Sequence, residues 1–168
     1  MNVIVNTTVL SNFASVDALK LLRSLWSRVY LSDQVLAEVQ AGFDQGYSFY
    51  TDLEKSVFPF EDSGWLWLTA LSDTAEFRLF GELRTSLHDG EASSIAIAKH
   101  RQWTFLSDDK AARQTCRSLS VPVTGTIGVL LALVKHHHIG LADANLLLSR
   151  MKATGYYSPV DSLSQLLD

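Results

Sequence analysis

Cysteine is almost missing from this chain. Cys116 stands alone among 168 residues, so no internal disulfide can form, and a solitary thiol suits a reducing compartment. Proline numbers three, and with no low-complexity tract or internal repeat there is nothing that reads as a linker. No apolar run approaches the roughly 20 residues that cross a bilayer. The first residues, Met1-Asn2-Val3-Ile4-Val5, lack a basic lead and a small-residue cleavage site, so the expectation is a cytoplasmic protein without membrane attachment. No glycine-rich phosphate loop follows Val3-Ile4-Val5 and no Gly-x-Ser-x-Gly elbow occurs, which removes support for a P-loop nucleotide binder or a serine hydrolase. Excess positive charge is also lacking: the formal net charge is −4. That does not exclude nucleic acid, because binding depends on where the basic side chains sit.

What is present is an ordinary globular balance, 47% apolar and 19% charged, in a length that suits one domain with a real core. Short β-branched or aromatic runs alternate with helical periodicity. Val3-Ile4-Val5, Val29-Tyr30-Leu31, Trp65–Thr69, Trp103–Leu106 and Val121-Pro122-Val123 read as strands. Between them, helical spacing runs through Leu19–Trp26, Val35–Val39 closed by Gly42, Asp73–Leu87, a segment opened by Asp89-Gly90-Glu91, and Asp109–Leu119. An apolar helix follows Thr124-Gly125-Thr126, and two more helices are expected around Leu141–Met151 and Val160–Leu167. Phe43–Phe60 is the least defined stretch, read as a helix ending before Pro59. Such alternation predicts a three-layer α/β/α domain over residues 1–168, with a mainly parallel sheet of four to five strands and a helical tail from about 141.

In parallel sheets the working residues collect at the carboxyl ends of the strands. Four segments place an acid or amide at a strand end or on the first turns of a helix: Val5-Asn6-Thr7, Leu36-Ala37-Glu38-Val39, Gly90-Glu91-Ala92 and Leu106-Ser107-Asp108-Asp109-Lys110. Carboxylates drawn together from distant segments repel one another, and a hard divalent cation such as Mg²⁺ or Mn²⁺ relieves that repulsion through oxygen ligands.

These four segments, in this order, resemble the motifs of the PIN domain family, and in particular its VapC-like ribonuclease toxin branch, which also has the apolar Thr-Gly-Thr helix and a short helical tail. The resemblance covers nearly the whole chain and is weakest between Phe43 and Phe60. It implies metal-dependent cleavage of RNA within a toxin–antitoxin system, with Mg²⁺ or Mn²⁺ as cofactor, RNA as substrate, an antitoxin protein as partner and a possible homodimer. Catalytic positions would be Asn6, Glu38, Glu91 and Asp109; metal ligands would be these four with Asp108; Thr7 and Ser107 would support them. Leu19–Trp26 and Phe43–Phe60 are the expected partner surfaces.

One position departs from the family pattern. The first acid is an amide, Asn6, which brings no negative charge and cannot take a proton from attacking water. Three accounts remain open on sequence alone: an introduced Asp→Asn change, a natural binding module that keeps the fold, and a natural enzyme of weak activity.

Single residues have plainer readings. Asn suits a turn after a strand, Glu38 and Glu91 suit a helix surface, and Asp108-Asp109 suits a helix N-cap; the joint arrangement is what favours a site. His136-His137-His138 reads as a solvated helix end, since neighbouring helical residues diverge. Cys116 and the tryptophans Trp65, Trp67 and Trp103 read as packing residues, and Tyr156-Tyr157 as part of a packed tail. The basic residues Lys99, His100, Arg101, Lys110, Arg113 and Arg117 flank the third and fourth acidic segments. Of these, Lys99, Arg101, Lys110 and Arg113 are the expected RNA contacts, with solvated helix faces as the competing account.

Overall fold

The structure is a computed structural model and describes residues 2–46, 48 and 53–166. Its centre is a sheet of six strands in the order β3-β4-β2-β1-β5-β6, every pairing parallel. The strands are β1 (Val3–Val5), β2 (Val29–Ser32), β3 (Val57–Phe58), β4 (Leu66–Thr69), β5 (Thr104–Leu106) and β6 (Val123–Thr124). β1 and β5 are buried throughout, which is why both read as continuous apolar runs rather than alternating ones. Val3 and Val5 join one apolar cluster and Ile4 the other, because successive side chains leave opposite faces of a strand.

Among the described residues, eight α-helices complete the layers: α1 (Thr7–Ala14), α2 (Lys20–Leu25), α3 (Asp33–Asp44), α4 (Thr74–Leu83), α5 (Asp89–Arg101), α6 (Lys110–Ser118), α7 (Thr126–Lys135) and α8 (Leu141–Ala153). α5 is the central one. Gly90 to Ala98 are all buried, so it carries small residues and isoleucines all round instead of an amphipathic stripe. α8 is no loose tail: Ala144, Leu148 and Met151 lie in the core beside α7.

Three expectations shift. α1 begins directly after β1, where only a polar break was read; Asn6 caps it by accepting a hydrogen bond from the Thr7 N–H (2.8 Å). Val57–Phe58 forms an edge strand paired with β4, preceded by a 3-10 turn at Glu54–Ser56, rather than the end of a helix. This strand, with buried Val57, brings the sheet to six; positions 47 and 49–52 of the same stretch lie outside the described residues. Last, where a helix was expected over Val160–Leu167, a 3-10 turn stands at Leu163–Leu166, with Leu163 buried and its N–H donating to Asn145 Oδ1 (2.8 Å); position 167 lies outside the described residues. Leu19–Trp26, expected to meet a partner, packs on the chain's own core: Leu22 is fully buried and Leu19, Leu25 and Trp26 lean against it. Among the described residues no helix is long and apolar enough to cross a membrane.

Candidate metal centre and its acidic cluster

The sheet order places the site. Strands leave β1 in opposite directions, to β2 on one side and β5 on the other, and such a switch point opens a crevice at the carboxyl ends. Val5 pairs in register with Leu106, so the residues following them, Asn6 and Ser107, emerge side by side. Asn6, 1% exposed, anchors the crevice: its N–H donates to Leu106 O (2.9 Å).

The Asn6 amide has a determined orientation. A helix N-cap must present an acceptor to the first-turn N–H groups, so Oδ1 faces Thr7 and Nδ2 turns the other way. There Nδ2 donates to Glu91 Oε1 (3.4 Å) and to Ser107 Oγ (3.3 Å). Glu91 sits on the first turn of α5, and its other oxygen accepts from the His88 N–H (3.3 Å). Glu38, half-buried midway along α3, is held by the Thr7 hydroxyl and by the Gly90 N–H (3.1 Å). Asp109 caps α6 through Ala112 N–H (2.7 Å), while its own N–H donates to Ser107 Oγ (3.1 Å). Asn6, Thr7, Glu38, Glu91, Ser107 and Asp109 therefore form one connected cluster drawn from four segments.

Charge repulsion within it is visible at Glu91. Burial pushes the Glu91 carboxyl above its ordinary value, and the negative charges of Asp109 and, less strongly, Glu38 push it further, against the opposing hydrogen bond from His88. Three carboxylates with two hydroxyls are a hard oxygen set, the kind that suits Mg²⁺ or Mn²⁺. Among the described residues, however, no three carboxylate, histidine or cysteine side chains close into a ready cage. The donors fit a divalent cation in kind, with the Asn6 N–H group turned toward Glu91 where an anionic residue would have left an opening for positive charge.

Asp108 makes no hydrogen bond to this cluster. Its Oδ1 accepts from the Thr126 N–H (2.9 Å) and Tyr156 OH (3.5 Å), and its Oδ2 from Thr126 Oγ1 (2.6 Å) and Asn12 Nδ2 (3.0 Å). Four donors on two oxygens make it the tie between α1, α7 and the segment after α8. The sequence reading gave Asn12 and Thr126 no site role and took Tyr156 only as part of a packed tail, where it does lean on the core. A signal existed at Asn12, a polar residue beside Val9, Leu10 and Phe13 on a helix that had not been recognised.

The basic residues divide. Lys110 and Arg113 lie on α6 next to Asp109, and Arg113 Nη1 donates to Ser107 O (3.0 Å). Lys99 and Arg101 occupy the other end of α5, where Arg101 is ten positions beyond Glu91 in a helix rising 1.5 Å per residue, about 15 Å away along its axis. There Arg101 pairs with Glu76 (2.7 Å) and donates to Thr69 Oγ1 and Ala70 O (each 2.8 Å), and Lys99 donates to Leu119 O (2.7 Å). Both flank the acidic segments in sequence, yet the helix carries them away from the cluster. Cys116 is fully buried, with its thiol pushed up to about 12 by burial, a packing residue as expected. Trp65 is in the core and Trp103 stacks on Tyr30 (centroids 4.2 Å apart).

A parallel α/β fold that gathers three acids and an amide from four segments at its switch point defines a class, the PIN-type domains. A family model described as PIN domain (DUF3368) matches residues 2–168, and the chain belongs to that family. Among solved structures it is similar to a chain of VapBC2 from Rickettsia felis, crystallised bound to a DNA fragment from their promoter. The TM-score is 0.52 and the identity 16%, over 74% of this chain and 98% of that one; at such identity the likeness speaks for the fold. A comparison with curated proteins gives no match.

Proposed function

We propose that this protein is a PIN-type, metal-dependent endoribonuclease of a toxin–antitoxin pair, with its activity held low by Asn6. The observation that carries the reading is the connected cluster of Glu38, Glu91 and Asp109 around Asn6 at the sheet's switch point, with Glu91 raised by its acidic neighbours. Glu91, Asp109 and Glu38 would hold Mg²⁺ or Mn²⁺, with Thr7 and Ser107 in support. When bound, the cation neutralises charge on the scissile phosphate and acidifies a coordinated water.

The chain's own groups set the rest. Thr7 and Gly90 hold the Glu38 carboxylate in place, and Ser107 connects Asn6 to the Asp109 turn. Glu91, disfavoured as an anion by burial and by Asp109, is the carboxylate most ready to receive a proton. Asn6 opposes all this: it adds no charge, takes no proton, and points N–H toward Glu91. Lys110 and Arg113 stand beside the cluster, suited to the phosphate backbone. The VapBC2 neighbour is a complex bound to promoter DNA, which supports a second protein as partner; that protein would be a cytoplasmic antitoxin.

The test is cleavage of RNA with Mn²⁺ or Mg²⁺ by this chain and by Asn6→Asp. The expected result is weak cleavage that rises at least tenfold in Asn6→Asp and vanishes with chelator. No cleavage by either chain sinks the enzyme reading. It would leave the other account, a PIN-fold module that works by binding a protein or RNA, which the inward-facing Asn6 N–H already favours over a bare loss of one ligand.

A further inference from the structure

Behind the acidic cluster lies a group of three hydroxyls that the site has not yet used. Ser32 ends β2, and Ser93 and Ser94 follow Gly90 and Glu91 on α5; all three are fully buried. Their setting calls for a reason. Val35, Leu36 and Val39 of α3 belong to one apolar cluster, Ala92 and Ile95 of α5 to the other. The two helices therefore meet at a seam between the cores, where alanine would favour the helix more than serine does. A buried hydroxyl has also given up water and must recover its hydrogen bonds from the protein.

Those bonds have a pattern. Ser32 Oγ caps α3 by accepting from the Val35 N–H (3.2 Å). Ser93 Oγ stands 2.8 Å from Ser32 Oγ and 3.1 Å from Gly90 O, so its one proton is shared between two acceptors. Ser94 Oγ, 3.5 Å from Ser32 Oγ, is at the edge of hydrogen-bond range. The Ser32 cap would satisfy α3 with alanine at position 93. What Ser93 adds is a closed circuit: from Ser32 through Ser93 to Gly90 O, from the Gly90 N–H to Glu38 (3.1 Å), and from Glu38 back along α3 to Ser32. The first N–H groups of a helix have no partner inside it. The Gly90 N–H, on the first turn of α5, has Glu38 instead. The same turn carries Glu91, so its placement against α3 sets both carboxylates at once.

We propose that Ser93 is a positioning residue of the acidic centre: through Ser32 and Gly90 it fixes the first turn of α5 against α3, and with it the separation of the Glu38 and Glu91 carboxylates. The inference rests on the metal reading above and adds a residue outside the ligand set. Ligands held loosely bind a small cation poorly, since Mg²⁺ demands near-ideal octahedral geometry and the groups behind the ligands set their orientation.

Two readouts separate positioning from stability. In the chain as it stands, without metal, amide exchange at Gly90 followed by NMR reports the bond to Glu38. Ser93→Ala raises that rate about tenfold, the worth of one hydrogen bond, and changes exchange at buried Ala98 of the same helix far less. In the Asn6→Asp background, calorimetric titration with Mn²⁺ gives an affinity lower by about tenfold or more for Ser93→Ala. Ser93→Cys keeps the volume with a weak hydrogen-bonding group and follows Ser93→Ala in both. The proposal is overturned if either readout in Ser93→Ala equals the parent, or if exchange rises at Ala98 as much as at Gly90, the mark of a merely structural loss. It is overturned equally if Ser93→Cys behaves like the parent, which would make bulk rather than the hydroxyl the cause. Should Asn6→Asp take up no Mn²⁺ at all, the metal reading falls, and exchange at Gly90 alone decides whether the circuit holds Glu38.

Discussion

Asn6 does two things that an aspartate would do differently. Its Oδ1 caps α1 and its Nδ2 hands a hydrogen bond to Glu91. Aspartate can keep the cap, but its second oxygen then faces Glu91 Oε1 across the 3.4 Å now bridged by N–H. The expected result without metal is that Asn6→Asp is less stable by about 2 kcal/mol at neutral pH, from a lost buried hydrogen bond and like-charge repulsion, a Tm lower by roughly 4–8 °C. The pH dependence has a definite sign. Glu91 already lies above its ordinary value of 4.5, and a second carboxylate raises it further. Between the unfolded value and the raised folded one, the folded chain holds a proton the unfolded chain has released, so stability falls as pH rises through that window. The deficit should close as pH drops toward 4.5; thermal melts at several pH values, with chelator present, decide it, and a gap that does not change with pH refutes the charge account. The sequence showed Asn6, Glu38, Glu91 and Asp109 as a set because each sits at a readable strand end or within the first two turns of a helix. It could not show which way Asn6 faces, nor that Asp108 serves another network, since those depend on contacts with Asn12, Thr126 and Tyr156 at separations of 96, 18 and 48 residues.

At the scale of elements, α5 is a beam with different chemistry at each end. Its first turn presents Gly90 and Glu91 to the cluster; its last presents Arg101 to Glu76. Gly90 is required by proximity: a Cβ there would meet the Glu38 carboxylate at 2.5–2.7 Å. Gly90→Ala should cost little stability, because the obstacle is the end of a flexible side chain and alanine favours helix by up to about 1 kcal/mol. Glu38 must swing away, however, losing its hold on the Gly90 N–H. Calorimetric titration with Mn²⁺ in the Asn6→Asp background should then show affinity lower by about tenfold or more, the loss of one charged ligand, with Tm nearly unchanged. Unaltered affinity would remove Glu38 from the ligand set. The far end behaves oppositely. Glu76 is 1% exposed; burial alone would raise its carboxyl, and the Arg101 hydrogen bonds with that from Ser72 N–H outweigh it to leave the group below its ordinary value. Arg101→Met strands this buried carboxylate and should cost about 3–5 kcal/mol, while RNA affinity of the folded protein stays as it was; the double variant Arg101→Met/Glu76→Gln recovers part of the loss. A weakened RNA affinity in folded Arg101→Met would restore Arg101 to the binding surface. The helices were legible where periodicity and caps were strong, as from Asp109 to Leu119. α1 and β3 were not, one hidden behind a polar Thr-Thr start and the other only two residues long, made a strand by pairing with β4.

Across the whole molecule, fold and proposed site are coupled through the same cluster, because its side chains come from four separate segments. A cation that binds only the folded chain stabilises all of it, by about 2.7 kcal/mol when present at 100 times its dissociation constant. In Asn6→Asp that gain is of the same size as the deficit expected without metal, so Mn²⁺ should return its Tm to that of the parent or above. The parent chain should respond less at equal Mn²⁺, since an amide adds no charge and its N–H group must turn away from Glu91, giving up the bonds to Glu91 and Ser107, before an oxygen can face the cation. Turning it would also take the acceptor from Thr7 and loosen the cap of α1. Thermal melts of both chains over a Mn²⁺ series, with Ca²⁺ or Na⁺ as controls for general screening, therefore report the site without reference to any substrate. A larger shift in Asn6→Asp than in the parent means that the acids form one metal centre and that position 6 sets its strength. Equal shifts would mean that Asn6 is an ordinary cap, and that the centre, if it exists, lies among Glu38, Glu91 and Asp109 alone.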